Sequence, residues 1–209
     1  MRDIRKDYSK GVPIVIERPN YPLELLENWI NDAISEKVTE PNAMNIATID
    51  KDGKPRNRMV LIKHLTKNEI GFFTNKESDK GKELRNCPYV SCTIWWPEME
   101  RQVRIEGIAK EMGVGFVEDY HSSRPRMSQI AAWASLQSED LDSRDVLLQR
   151  FQMYEEKFES SVIPVPPFWG GYVIDPTKIE YWEGRPSRLH DRVLLTKSNN
   201  GWEINRLYP

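Results

Sequence analysis

Met44-Asn45-Ile46-Ala47-Thr48-Ile49, then Asp50-Lys51-Asp52-Gly53-Lys54, then Arg58-Met59-Val60-Leu61-Ile62 is the stretch on which the fold turns. Two short runs of β-branched and apolar residues flank a turn rich in Asp and Gly, which is the pattern of a β-hairpin. Working outward, Ile70-Gly71-Phe72-Phe73-Thr74 predicts a third strand, and residues 89–96 with 102–111 a long second hairpin. Further strands are expected at 169–174, 178–183 and 189–196, and a last one at 202–206 after the turn Ser198-Asn199-Asn200-Gly201. Leu23, Leu26, Ile30 and Ala33 recur at helical spacing after Pro22. Other helices are expected from an N-cap at Ser78 to about Arg85, and over about 114–122, 125–135 and 143–158. Many short antiparallel strands interrupted by few helices predict a mainly β fold with flanking helices, a closed barrel rather than a parallel α/β sheet. Residues 1–19 are polar and without period and read as a mobile arm; 20–209 read as one domain.

Composition narrows the function. The 209 residues carry a net charge of −2, which gives no global pull toward nucleic acid or an anionic membrane, so any site for a polyanion has to be local. No run approaches the roughly 18 apolar residues of a membrane span, and the start Met1-Arg2-Asp3-Ile4-Arg5-Lys6-Asp7-Tyr8 does not read as a signal peptide. Cys87 and Cys92 lack metal-like spacing and read as two reduced, partly buried thiols of a cytoplasmic protein. No His/Cys/carboxylate cluster has ligand spacing, so no metal is expected. The nucleophile turn of a serine hydrolase and the glycine-rich loop of a dinucleotide fold are both missing. Seven tryptophans, several beside charged motifs, point to ligand or subunit contacts.

The chemistry concentrates in a few segments. In Tyr181-Trp182-Glu183-Gly184-Arg185-Pro186-Ser187-Arg188-Leu189-His190-Asp191-Arg192, strand alternation would project Arg188, His190 and Arg192 as one row. That row suits an anionic planar ligand lying against an aromatic ring; a solvated hairpin edge would also carry it. Arg56, Arg58 and Lys63, with Lys51 and Lys54, make the first hairpin basic, as an edge-protecting strand would also be. Arg58 and Lys63 are five apart and fall on opposite faces, so one pocket uses both only at a strand end, a subunit interface or a bulge. Thr74 to Lys82 leads from a strand into a helix N-terminus, a ready phosphate site. Gln102, Arg104 and Glu106 share the face opposite Val103 and Ile105. In Tyr120-His121-Ser122-Ser123-Arg124-Pro125-Arg126-Met127-Ser128-Gln129, a tyrosine, an arginine and a serine converge on a helix start, which suits phosphate. A capped interhelical turn would explain the Ser and Pro but not both Tyr120 and Arg124. His64 and His121 read as surface or packing residues.

Arg188-Leu189-His190-Asp191-Arg192 after Tyr181-Trp182, closing on Asn205-Arg206-Leu207-Tyr208-Pro209, resembles the C-terminal signature of the pyridoxamine 5'-phosphate oxidases, and similar spacing runs from about Arg5 to Pro209. The resemblance implies an FMN-binding split β-barrel that forms a homodimer with FMN at the interface. It implies FMN contacts from Arg58, Met59, Val60, Leu61, Ile62 and Lys63, from Phe73, Thr74 and Lys80 at the phosphate end, and from Gln102, Gln137, Ser138, Trp182 and Arg192. It assigns the substrate phosphate to Lys63, Tyr120, Arg124 and Ser128. Arg188, Leu189 and His190 meet the substrate, with Arg188 and His190 as the catalytic pair, and Arg5 and Tyr8 belong to a segment that closes over it. The implied reaction is oxidation of pyridoxamine or pyridoxine 5'-phosphate to pyridoxal 5'-phosphate by hydride transfer to flavin, with O2 reduced to H2O2. Two positions depart from the family pattern: Asp79 stands where an arginine is usual before the lysine, and Ala132 where glycine is common. The alternatives are another FMN split-barrel oxidoreductase and a non-catalytic FMN or pyridoxal-phosphate binding protein.

Overall fold

The computed structural model describes residues 7–209. Strands β1 (Ala43–Ile49) and β2 (Pro55–Leu61) form the expected hairpin, with Met44 opposite Val60 and Ile46 opposite Arg58. Asp50 closes the turn by accepting the N–H groups of Asp52 and Lys54, each at 2.9 Å, and Gly53 takes the positive φ of +78° that the turn requires. The remaining strands are β3 (His64–Leu65), β4 (Ile70–Asn75), β5 (Tyr89–Trp96), β6 (Arg101–Glu111), β7 (Trp169–Glu183), β8 (Asp191–Ser198) and β9 (Gly201–Arg206). All pairings are antiparallel, in the order β2-β1-β5-β6-β7-β4-β3, with β8 and β9 added beside β7. The sheet curls until β2 touches β4, giving the mainly β architecture that the sequence predicts.

Alternation decides what the curl encloses. Met44, Ile46, Phe72, Ile94, Val103, Ile105, Ile174 and Ile179 point inward and are fully buried, while their strand neighbours face out. Helix α1 (Glu24–Ser35) packs Leu26, Trp29, Ile30 and Ala33 onto this core. The Tyr181 hydroxyl fixes it there by donating to Pro22 O at 2.7 Å and accepting from Leu26 N at 3.2 Å. Helix α2 (Asp79–Asn86) follows β4, and α3 (Val114–Ser123), α4 (Arg126–Ala134) and α5 (Arg144–Lys157) form a side layer with a small core of Ile130, Phe158 and Ile163.

Three local expectations are corrected. Residues 169–174 and 178–183 belong to one strand, β7, because the interruption at Pro176 is absorbed by a bulge opposite Glu106/Gly107. Pro22 precedes the N-cap Leu23 instead of starting the helix. Residues 189–190 are not strand: Pro186–Arg188 form a 3-10 turn, Ser187 and Arg188 adopt positive φ of 57° and 62°, and β8 starts only at Asp191. Strand alternation therefore does not align Arg188, His190 and Arg192.

Residues 8–16 run without helix or strand along the C-terminal strands. Ser9 N and Lys10 N donate to a Glu100 carboxylate oxygen at 2.8 and 3.0 Å, Ile14 N donates to Asp191 at 2.7 Å, and Ile14 is buried. No helix among the described residues is long and apolar enough to cross a membrane.

Candidate functional site

A cavity of about 590 Å³ opens where β2 ends, between β4, the start of α2 and the α3–α4 turn. Its volume falls in the usual range for small-molecule sites, roughly 300–1,000 Å³. Arg58, Met59, Val60, Leu61 and Lys63 line one wall. Arg58 and Lys63 share it in spite of their odd spacing because the chain leaves the β1 ladder after Leu61 and Lys63 N turns to Gly71 O at 2.9 Å. Ile62 goes into the core instead.

A second wall comes from β4 and α2. Ser78 caps the helix, its hydroxyl accepting from Gly81 N and donating to Asn75 O at 2.6 Å. The cap turns Lys80 inward, where Nζ donates to Thr74 Oγ1 at 3.2 Å, Gln137 Oε1 at 3.2 Å and Ser78 Oγ at 3.4 Å. Burial, followed by the nearby Arg58 charge, lowers the Lys80 pKa below the ordinary lysine value; Asp79 and Glu83 pull the other way. Asp79 is exposed at the rim of the same cavity. Ser138, which follows Gln137, holds a left-handed φ of 76° at the cavity wall.

The third wall is aromatic. Tyr120 stacks on Phe73 with centroids 4.0 Å apart, and Phe73 stacks on Trp169 at 5.3 Å. The Arg124 guanidinium lies over the Trp169 ring at 5.0 Å, and its buried Nη1 has no hydrogen-bond partner. Burial lowers the Arg124 pKa and raises that of the Tyr120 phenol. Ser128, half-buried within α4, does not line the cavity, while Ala132 does. Trp169 was not singled out in the sequence. The available signal was a tryptophan directly before Gly170-Gly171, where an added Cβ would meet Lys76 Cδ at 3.0 Å and Met112 Sδ at 2.5 Å.

The other candidates form a separate patch on the outer face of the sheet and do not line the cavity. Cross-strand register places Trp95, Gln102, Trp182 and Arg192 in one rung of β5-β6-β7-β8. The His190 ring lies 4.7 Å from that of Trp182, and Tyr8 meets both rings edge-on at 5.5 Å. His190 Nδ1 accepts the Arg185 N–H at 3.2 Å, so the neutral ring carries its proton on Nε2. Burial, with the Arg188 charge second, lowers the His190 pKa. Arg192 donates twice to buried Glu180, at 2.9 and 3.1 Å, and Arg104 donates to the same carboxylate. Burial opposes ionisation of Glu180, but the hydrogen bonds from both arginines outweigh it and hold its carboxyl below the usual range. Arg188 and Leu189 are exposed on the 3-10 turn, and Arg5 lies outside the described residues. His190 and Arg192 are thus brought beside Trp182 by a turn and a strand end, not by alternation, and Arg188 stands exposed on that turn, its charge acting on His190. Among the described residues, no three His, Cys, Asp or Glu side chains gather as a metal site.

Comparison with known proteins gives a consistent family. Residues 30–158 match the family described as pyridoxamine 5'-phosphate oxidase, and residues 169–209 match the pyridoxine 5'-phosphate oxidase C-terminal dimerisation region. The chain is 42% identical to a pyridoxine/pyridoxamine 5'-phosphate oxidase of Cyanothece sp. over 99% of its own length and 97% of the relative's. It is 45% identical to the protein of that name from Haemophilus ducreyi, over 100% and 99%. Among solved structures, PhzG from Burkholderia lata 383, in complex with tetrahydrophenazine-1-carboxylic acid, superposes with a TM-score of 0.88 at 27% identity, covering 95% of this chain and all of that one. A pyridoxamine 5'-phosphate oxidase-related, FMN binding protein from Nostoc punctiforme shares the fold, with a TM-score of 0.72 at 15% identity over 90% of this chain and 98% of that one.

Proposed function

Because the chain belongs to the pyridoxamine 5'-phosphate oxidase family, we propose that it oxidises pyridoxamine 5'-phosphate or pyridoxine 5'-phosphate to pyridoxal 5'-phosphate, with FMN as cofactor and O2 as final acceptor. The observation that carries this reading is a single cavity that combines four cations, Arg58, Lys80, Lys63 and Arg124, with a stack of aromatic rings. Two phosphate-bearing planar molecules need that combination.

The residues fit FMN. Among the described residues, Lys80 Nζ reaches neutral oxygens and no carboxylate, and Arg124 keeps a buried Nη1 without an acceptor. Both are donors suited to a phosphate. In this reading Arg58, Lys80, Thr74, Gln137 and Ser138 hold the flavin phosphate, with Phe73 at the same end and the rest of the 58–63 wall beside the ring system. Lys63, Tyr120 and Arg124 take the substrate phosphate, and Ser128 supports them from α4. Holding both reactants by their phosphates fixes their relative orientation before reaction, which is where most of the protein's contribution lies.

A homodimer completes the site. The C-terminal region matches a dimerisation region, and the outer-face patch of one protomer covers the cavity of its partner. Gln102, Trp182 and Arg192 then border the flavin ring. Arg188 steers the substrate, and His190, with its proton on Nε2, donates a hydrogen bond that orients the 4' heteroatom. Tyr8, already edge-on to Trp182 and His190, shields that contact from water. Bound FMN would supply the electron sink for a hydride from the 4' carbon, with O2 as the final acceptor and H2O2 as its two-electron, two-proton product. The amine substrate also releases ammonia after its imine hydrolyses. The reading places the reaction in the cytoplasm, where Cys87 and Cys92 stay as free thiols.

The test is turnover. Purified protein with FMN, O2 and pyridoxine 5'-phosphate should produce the pyridoxal-phosphate absorbance and one peroxide per product. A flavin-loaded dimer that turns over neither phosphorylated vitamer refutes the proposal and favours a binding protein, or an oxidoreductase for another substrate.

A further inference from the structure

Arg58 does not face the cavity as a free cation. Its Nη2 donates to Glu83 at 2.9 Å, its Nη1 donates to Thr48 Oγ1, and the Thr48 hydroxyl donates to the same Glu83 oxygen. Thr48 is fully buried and Glu83 is 8% exposed, while the Arg58 side chain stays 22% exposed at the cavity wall. Glu83 sits one helical turn beyond Lys80 on the buried face of α2, so the triangle ties the helix that carries Lys80 to the β1–β2 hairpin that carries Arg58.

This arrangement has an electrostatic consequence. A buried carboxylate in contact with a guanidinium cancels most of its field while fixing its direction. Where Arg58 and Lys80 meet, two cations are therefore matched by two carboxylates, Glu83 behind the wall and Asp79 at the rim. A phosphate arriving there finds well-aimed donors and little net positive charge. An arginine left unpaired would bind the anion more tightly but would also be free to swing.

We propose that Glu83 is a positioning residue that presets Arg58 for the flavin phosphate and, by cancelling its charge, limits how tightly that phosphate is held. The inference rests on the FMN reading above. Glu83 acts on the phosphate end of the ligand, by contact through Arg58 and by its charge near Lys80, so its effect is visible as discrimination between FMN and riboflavin, which lacks the phosphate.

The experiment is a fluorescence-quenching titration of the full-length protein with FMN and with riboflavin, using wild type, Glu83→Gln, and both in an Arg58→Gln background. Gln keeps an acceptor for Arg58 and Thr48 but removes the charge. The expected result is an FMN Kd about tenfold lower in E83Q, at the low end of what one nearby charge does, with the riboflavin Kd unchanged and most of the effect lost when Arg58 is Gln, the remainder being the Glu83 charge felt by Lys80. A merely structural Glu83 would shift both ligands together. Equal shifts, no shift, or an effect that survives loss of Arg58 undiminished each overturn the proposal while leaving the flavin site standing. A wild-type protein that binds neither ligand overturns the proposal and the FMN reading together.

Discussion

Arg124→Met separates what the cavity does for binding from what it does for stability. In the folded protein Arg124 Nη1 is buried without a partner, and the guanidinium lies 5.0 Å over Trp169. An unsatisfied buried donor costs about 1–3 kcal/mol, and a cation–π contact returns about 0.5–1 kcal/mol at such sites. Met keeps an unbranched stem against the Trp169 ring and removes the stranded donor. Stability should therefore hold or rise by about 1 kcal/mol, a shift of roughly 2–4 °C in Tm for a chain of this size. Substrate binding goes the other way. Two charge-assisted hydrogen bonds to phosphate are worth about 1.5–3 kcal/mol each, so losing them should raise KM for pyridoxine 5'-phosphate by a factor on the order of 10² or more. If those bonds are equally strong in substrate and transition state, kcat is little changed. Steady-state peroxide production with scanning calorimetry reads both quantities. A KM within threefold of wild type, or a Tm several degrees lower, would refute the argument, because either result means that Arg124 holds the fold together and does not await an anion.

Three further outcomes follow from individual contacts. Asp79→Asn removes a carboxylate from the cavity rim and should lower the FMN Kd several-fold, while losing the favourable Asp at a helix N-terminus, worth about 0.3–1 kcal/mol; fluorescence titration and urea melts check the two halves. His121 is 1% exposed with Nε2 unpartnered, and burial, followed by the Arg124 charge, lowers its pKa. The unfolded chain then binds the proton better than the fold does, so its contribution is complete above about pH 6.5 and is lost as pH falls below that; His121→Phe should flatten the drop in urea midpoint between pH 7 and pH 5, and an unchanged drop would refute this. Gly81→Ala would set a Cβ 2.1 Å from Lys76 O, which costs about 1–3 kcal/mol or more and should weaken FMN retention together with thermal stability.

The fold was legible where alternation is strict. Val103 and Ile105 between Gln102, Arg104 and Glu106 state which face of β6 is buried, and Asp50 to Lys54 names its own turn. It was less legible where backbone conformation overrides pattern. Nothing in the side chains of Ser187 and Arg188 announces positive φ, so extending strand alternation back through 188–190 fails, although the strand expected at 189–196 is present from Asp191. The gap left between 174 and 178 is closed by a bulge on β7 itself, where Pro176–Lys178 take two steps against the single step Glu106–Gly107 of a strand some 70 residues earlier.

The candidate site was legible one wall at a time, but its assembly was not. Ser78 as a cap fixes where Lys80 points, and Pro125 fixes the turn beside Arg124; both are local consequences of residue type. The charge state of the wall is a different kind of fact. Arg58 reads in the sequence as a free cation, and only the three-dimensional meeting of β1, β2 and α2 reveals Glu83 and Thr48 behind it. Arg192 repeats the pattern on the outer face, where Glu180, buried between Arg192 and Arg104, holds the guanidinium beside the Trp182 rung. In both places a cation read as ligand-facing is set by a buried carboxylate far away in sequence or on the neighbouring strand. Counting positive residues near a phosphate site therefore overstates its pull on an anion. Here the strength of that pull depends on which cations the fold has already paired, and of the four that line the cavity Lys63, Lys80 and Arg124 lack a carboxylate ion-pair partner among the described residues.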